Sequence, residues 1–251
     1  MAALEWLCAM PFAHRGLHEE GVPENSLAAF EAALRAGYGI ELDVRLAADG
    51  VPVVFHDASL ERLTGRAGPV SAFTSAELAR FRLGDSDQRI PRLEEVLALV
   101  RGAAPLLVEI KNPRHRAGAL EAAVWALLEG YPGPVAALSF NPITLAWFRR
   151  RAPALARGHN LSAPSSRQRG GRARASARLA RLLARPHFIS HEITSLSHRR
   201  AARIRGHGLT LIAWTVRGES EQTKALRYAD NFMFEGLRPM TRGSGSARDH
   251  G

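Results

Sequence analysis

Short apolar runs alternate with stretches of helical period along nearly the whole chain, as repeated βα units require. Phe12-Ala13-His14-Arg15 reads as a first strand. Asn25 is expected to cap a helix with Leu27, Phe30 and Leu34 on one face, closed by Gly37. Gly39 to Leu46 reads as a second strand, and Asp49-Gly50 as a turn into a third strand segment from Val51 to His56. Residues 58–92 then leave the pattern as a short insertion, with a capping box at Thr74 and Glu77. A helix from Pro91 buries Leu93, Val96, Leu97 and Val100. Further strands are expected at Leu106–Lys111, Pro134–Phe140, Ala156–Ser162, His187–Ile193, Leu209–Val216 and Asn231–Phe234, with helices at Ala117–Glu129 and Pro142–Arg151. The count approaches eight units in 251 residues, so the predicted fold is α/β, a single (β/α)₈ TIM barrel over residues 1–240. Residues 241–251, rich in Gly, Ser, Arg and Asp, are expected to be a disordered tail.

Composition narrows the partners. The chain carries 34 basic and 24 acidic side chains, a net charge of +10, and all the basic residues except Lys111 and Lys224 are arginine. That balance favours anionic partners. Cys8, the one cysteine, excludes an intrachain disulfide and a cysteine zinc cluster. The first ten residues are apolar but contain Glu5, lack a basic start and run into Pro11, a poor signal peptide. With no apolar run of about 18 residues, the expected location is the cytoplasm.

The second strand carries the most chemistry. Side chains alternate faces, so Ile40, Leu42 and Val44 share one face while Glu41 and Asp43 share the other. With the apolar set against surrounding helices, both carboxylates point into the barrel. Leu106 to Lys111 repeats the device, with Glu109 and Lys111 inward. Buried charge must be paired or bound to a metal. Three converging carboxylates suit Mg²⁺ or Ca²⁺; an ion-pair cluster of Glu109 with Lys111 or Arg45 is the alternative. His14 at the end of strand one, and His56 on the inward face shared with Val54, favour the metal reading. Imidazole can take or give protons near neutrality, and sites in this fold lie at the C-terminal strand ends. Arg15 and Lys111 can hold phosphate oxygens.

These segments occur in an order that resembles the glycerophosphodiester phosphodiesterase family. The resemblance runs from Phe12 to about Pro239. It rests on His14-Arg15-Gly16, Pro23-Glu24-Asn25-Ser26 with Ala29-Phe30, and Glu41-Leu42-Asp43-Val44. It continues through Asp49-Gly50, His56-Asp57, Leu60-Glu61-Arg62-Leu63-Thr64 and Ile90-Pro91-Arg92-Leu93-Glu94-Glu95-Val96-Leu97. Glu109-Ile110-Lys111, Ser139-Phe140 and Ala213-Trp214-Thr215-Val216 complete it. The resemblance implies that Glu41, Asp43 and Glu109 bind a divalent metal, Mg²⁺ or Ca²⁺. It implies His14 and His56 as general acid and base, Arg15 and Lys111 on the phosphate, and Trp214 lining the substrate pocket, although a core role for Trp214 fits its spacing too. Asn25 could donate to a metal ligand as well as cap its helix, and Asp57 could orient a neighbour. The implied reaction is hydrolysis of a small glycerophosphodiester to glycerol 3-phosphate and an alcohol. The rivals are a lysophospholipase D-like enzyme acting on lipid and a catalytically silent barrel binding phosphate or lipid. Two departures are evident. Phe234-Glu235-Gly236-Leu237-Arg238-Pro239 stands where the family commonly has Thr-Asp-x-Pro, and Arg217 stands where Asn is frequent; they bear on substrate preference.

Residues 149–185 hold eleven arginines and no acid. A helix over 172–185 aligns Arg174, Arg178, Arg181 and Arg185 opposite Leu179 and Leu182. It reads as an outer barrel helix with a solvated face, or, as the sharper alternative, a contact for an anionic membrane surface. Without interleaved aromatics it gives no reason to expect nucleic acid.

Overall fold

The computed structural model describes residues 4–112, 117–163 and 182–239. The expected tail at 241–251 lies outside them, as do residues 172–181 of the arginine-rich helix. The strands are β1 (Phe12–His14), β2 (Gly39–Leu46), β3 (Pro52–Val54), β4 (Leu106–Ile110), β5 (Val135–Ser139), β6 (Ala156–Leu161), β7 (Phe188–Glu192), β8 (Thr210–Val216) and β9 (Asn231–Phe234). All except β3 run parallel to their neighbours, and β1 pairs with both β9 and β2, which closes an eight-stranded (β/α)₈ barrel. β3 is an antiparallel hairpin partner of β2 and stands outside the closed wall.

Alternation along the strands builds two layers. Ile40, Leu42, Val44, Leu106, Val108 and Ile110 pack outward against helix residues such as Phe30, Val96, Val124 and Phe148. Inward, Phe12, Leu107, Leu138, Phe188, Ile212 and Met233 fill the N-terminal part of the barrel, closed by Leu7 from the turn before β1. Gly39 makes room for this plug, since a Cβ there would lie 2.6 Å from the Phe12 ring. Truncating a buried Phe in such a layer typically costs about 3–5 kcal/mol. Because apolar side chains fill that end, the polar inward positions collect at the strand C-termini.

Several elements differ from expectation in their bounds. The strand expected over Val51–His56 ends at Val54, so His56 sits in the following loop and not on a barrel strand. Val54 packs in the outer layer and Phe55 in a separate cluster with Leu60, Val70, Leu78, Leu83 and Ile90, which belong to residues 58–92. The capping box at Thr74 is present, with the Thr74 N–H donating to Glu77 Oε2 at 2.8 Å. The first long helix, Leu27–Arg35, is capped by Ser26, whose Oγ accepts from the Ala29 N–H at 3.1 Å. Asn25 is therefore not its cap: its backbone is left-handed (φ 56°), outside the extended geometry that a cap residue adopts. No helix of the described residues is long and apolar enough to cross a membrane.

Candidate active site

Parallel register brings the carboxylates together. Glu41 is the Cα partner of His14 across β1–β2, and Asp43 is the partner of Glu109 across β2–β4. One oxygen from each of Glu41, Asp43 and Glu109 lies within 4.8 Å of the other two, and all three residues are buried. Lys111 Nζ sits 3.0 Å from Asp43 Oδ1 and 2.8 Å from Glu109 Oε1, so the ion pair weighed from sequence forms, with Lys111 and not Arg45. Arg45 instead donates to the His56 carbonyl at 2.6 and 2.9 Å, fixing the loop that carries this histidine.

The surroundings hold each carboxylate from outside. Asn25 Nδ2 donates to Asp43 Oδ2 at 2.9 Å, and Asn25 Oδ1 accepts from the Asp43 N–H at 3.2 Å. The Arg15 N–H donates to Glu41 Oε2 at 3.1 Å, and its guanidinium Nε lies 3.3 Å from Asp43 Oδ2. Arg15 and Asn25 both have positive φ, 59° and 56°, a conformation costing about 1–3 kcal/mol for such residues. The Asn25 N–H to Arg15 carbonyl bond at 2.9 Å ties the two together. Between them Gly16 (φ +82°) passes so close to the helix that a Cβ would meet Ala29 Cβ at 2.8 Å. The glycine of His14-Arg15-Gly16 is thus required by backbone geometry.

Three buried carboxylates face two cations, Lys111 and Arg15, and this shortfall sets their protonation. Burial, followed by the charges of Asp43 and Glu109, raises the Glu41 carboxyl well above its ordinary range. Burial also raises Glu109, against the pull of Lys111. Asp43 goes the other way: burial pushes it up, but Lys111 and then Arg15 outweigh that and hold it ionised. Glu41 Oε1 has no hydrogen-bond partner among the described residues. A divalent cation fits this arrangement. Its oxygen ligands at about 2.3–2.6 Å span up to about 5 Å, it would supply the missing positive charge, and it would give Glu41 Oε1 a partner.

The histidines flank the cluster. His14 Nε2 lies 3.8 Å from Glu41 Oε2, while His14 Nδ1 meets Glu235 Oε1 at 2.5 Å. His56 Nδ1 meets Asp57 Oδ1 at 2.6 Å, and Arg62 donates to Asp57 Oδ2 and to both oxygens of Glu24, which also accepts from Arg15 at 2.8 Å. Burial lowers the pKa of His14, partly offset by Glu235, and lowers that of His56, partly offset by Asp43. A cavity of about 320 Å³ opens over the cluster, lined by His14, Arg15, Glu41, His56, Glu109, Lys111 and Trp214 among others. Seven of the eight site residues singled out from sequence thus face one space, and the eighth, Asp43, is wholly buried against Lys111, Arg15 and Asn25. Trp214 stacks edge-on against Phe140 at 5.6 Å and forms part of the cavity wall.

Three further residues touch the site: Asn160, to which the sequence gives no role, and Glu235 and Arg217, which it marks only as departures bearing on substrate preference. Asn160 on β6 donates to Glu109 Oε2 at 3.0 Å, and its Oδ1 is buried without a partner among the described residues. Glu235 and Arg217 pair at 2.7 Å beside His14. The signal for Glu235 is alternation: Phe232 and Phe234 pack in the outer layer, so Met233 and Glu235 turn inward.

Comparison with known proteins settles the family. The glycerophosphoryl diester phosphodiesterase family matches residues 14–231. This chain belongs to that family. The glycerophosphodiester phosphodiesterase of Bacillus altitudinis is 39% identical over 156 residues, which cover 57% of this chain and 62% of that protein; the match thus spans less than two thirds of that relative. Bacillus subtilis YhdW is 32% identical over 222 residues, 84% of this chain and 88% of its own. Among solved structures, an Oleispira antarctica phosphodiesterase in complex with the product sn-glycerol-3-phosphate superposes with a TM-score of 0.79. It has 26% identity and covers 92% of this chain and 94% of that one.

Proposed function

We propose that this protein hydrolyses glycerophosphodiesters to glycerol 3-phosphate and an alcohol, using Mg²⁺ or Ca²⁺. The observation that carries the reading is the buried Glu41, Asp43 and Glu109 cluster beside two histidines with carboxylate-bound Nδ1 atoms, in one cavity. Family membership and the glycerol 3-phosphate bound to the Oleispira antarctica relative support the substrate class.

Glu41, Asp43 and Glu109 would hold the cation, which when bound polarises a phosphoryl oxygen and neutralises its charge. Asn25 fixes the ligand rotamer of Asp43, and Asn160 that of Glu109. Lys111 and Arg15 offset negative charge growing on the phosphoryl oxygens. Of the two histidines, one takes a proton from the attacking water at Nε2 as the new P–O bond forms. The other, protonated, gives its proton to the departing alkoxide as the old P–O bond breaks. A space of about 320 Å³ is enough for a small diester.

The test is product analysis. Glycerophosphocholine, glycerophosphoethanolamine, glycerophosphoglycerol and lysophosphatidylcholine are each incubated with the protein and Mg²⁺ or Ca²⁺, and the phosphomonoester released is quantified: glycerol 3-phosphate from the first three, lysophosphatidic acid from the acylated one. Turnover of the first three and its loss in His14→Ala are expected. Release only from the acylated substrate would replace this reading with the lipid-directed one, and no turnover of any would leave a binding barrel.

A further inference from the structure

Two residues at which the sequence departs from the pattern it resembles, Glu235 and Arg217, pair with each other, and Glu235 touches one of the two site histidines. We infer that Glu235, braced by Arg217, is a positioning residue that holds His14 in the tautomer with its proton on Nδ1 and its Nε2 lone pair turned to the cavity. The inference rests on the reading of His14 as an acid–base group.

A neutral imidazole carries one N–H, and the nitrogen facing a carboxylate is the one that bears it. Glu235 Oε1 stands 2.5 Å from His14 Nδ1, and the second oxygen, Oε2, accepts from Arg217 Nε at 2.7 Å. Both oxygens therefore have a donor, and the carboxylate cannot rotate without losing one. Its backbone is fixed as well, because the Glu235 N–H donates to the Val216 carbonyl at 3.0 Å, next to Arg217. Arg217 in turn donates its own N–H to Glu221 Oε2 at 2.7 Å, at the start of the helix Glu219–Tyr228. The result is a chain from that helix through Arg217 and Glu235 to the ring. His18 Nε2 is the other group near Glu235, at 3.9 Å, beyond hydrogen-bond reach.

The alternative tautomer would carry its proton on Nε2. His14 could then accept nothing on its cavity side, and Nδ1 would face Glu235 with two lone pairs opposed. The geometry leaves the neutral ring one usable tautomer, and a carboxylate that fixes a histidine tautomer from behind characteristically acts on turnover and not on substrate affinity. An exposed glutamate with a merely solvating role would have no such pair of saturated oxygens; the Glu235 side chain is 15% exposed.

The experiment uses the full chain with Glu235→Ala, the isosteric Glu235→Gln, the shorter acid Glu235→Asp and Arg217→Ala, measured against wild type for kcat and KM on a glycerophosphodiester with saturating Mg²⁺. Glu235→Ala is expected to lower kcat about 100-fold with KM within about twofold. Glu235→Gln, whose amide oxygen accepts more weakly, is expected to lower it about 10-fold. Glu235→Asp should recover part of the loss, and Arg217→Ala should lose less than Glu235→Ala. The second readout is the tautomer, from long-range ¹H–¹⁵N spectra of histidine-labelled protein at alkaline pH, with His14 assigned by its disappearance in His14→Ala. Wild type should have its proton on Nδ1, and Glu235→Ala should shift it to Nε2 or to a mixture. The inference is overturned if wild type carries the proton on Nε2, if Glu235→Ala leaves both tautomer and kcat unchanged, or if its loss of rate is matched by lost Mg²⁺ affinity. The tautomer is read without substrate, so a wild type that turned over no diester would sink the functional reading while this measurement still decided the role of Glu235.

Discussion

Replacing Glu41 with glutamine should destroy activity and yet stabilise the metal-free protein. Glu41 is 1% exposed, and its Oε1 has no donor among the described residues. At an effective dielectric near 20, a like-charged pair separated by the cluster's 4.8 Å spread costs about 3.5 kcal/mol. Ionised Glu41 has two such neighbours, while Lys111 is committed to Asp43 and Glu109. Holding a proton is cheaper. At pH 7 a carboxyl with an ordinary value of 4.5 is kept protonated for at most about 3.4 kcal/mol, at about 1.4 kcal/mol per pH unit. Glutamine carries no such penalty, and its amide can donate to the neighbouring carboxylates. In chelator at pH 7 the variant should gain about 2–3 kcal/mol, a rise in Tm of roughly 5–10 °C for a chain of this size. The pH dependence has a definite sign. The folded-state pKa is raised, so the wild-type penalty grows as pH climbs above 4.5; the gain should shrink to about 0.7 kcal/mol or less at pH 5. Urea unfolding in EDTA at the two pH values measures this. A Glu41→Gln protein no more stable than wild type at pH 7 would mean that protein cations already satisfy Glu41, and the case for a metal would lose its electrostatic basis.

Other expectations follow from the same contacts. Because the raised Glu41 carboxyl must lose its proton to act as a ligand, Mg²⁺ or Ca²⁺ affinity should rise with pH, and calorimetry in buffers of different ionisation enthalpy should register proton release on binding that falls as pH rises; no release at any pH contradicts the raised carboxyl. Asp57→Ala removes the 2.6 Å partner of His56 Nδ1 and should lower kcat about 10–100-fold with little change in metal affinity; an unchanged kcat would deny His56 its role. Gly16→Ala combines positive φ with a 2.8 Å clash against Ala29 and should destabilise by at least about 2 kcal/mol, read as a lowered urea midpoint.

The barrel and the carboxylate cluster were legible because one rule, alternation, decides both. In Ile40-Glu41-Leu42-Asp43-Val44 three apolar residues can satisfy only the helix side, which leaves the acids nowhere but the interior. The same rule misled at His56. Extending the strand past Val54 placed the histidine on an inward face, whereas the chain turns out of the hairpin and Arg45 fixes the loop by its carbonyl. The helix cap lies one residue later than expected, for a different reason: Asn and Ser are both good caps, and Ser26 takes the cap while Asn25 donates to Asp43, the ligand contact that the sequence also allowed it. Asn160 and Glu235 satisfy alternation on β6 and just past β9, but a single polar residue at a strand end has many explanations. Its meaning comes from neighbours distant in sequence, Glu109 and His14. The two departures read as bearing on substrate preference lie beside His14, the acid–base group of the proposed reaction.

The central claim is that Glu41, Asp43 and Glu109 share one divalent cation on which turnover depends. The most direct measurement strips the protein with EDTA, removes the chelator, and adds Mn²⁺ as a paramagnetic substitute while bound metal and diester hydrolysis are followed together. Activity should vanish on stripping and return in proportion to the first equivalent bound, and Asp43→Asn should abolish both signals. Full hydrolysis by the stripped protein, or a bound ion indifferent to Asp43→Asn, would contradict the account.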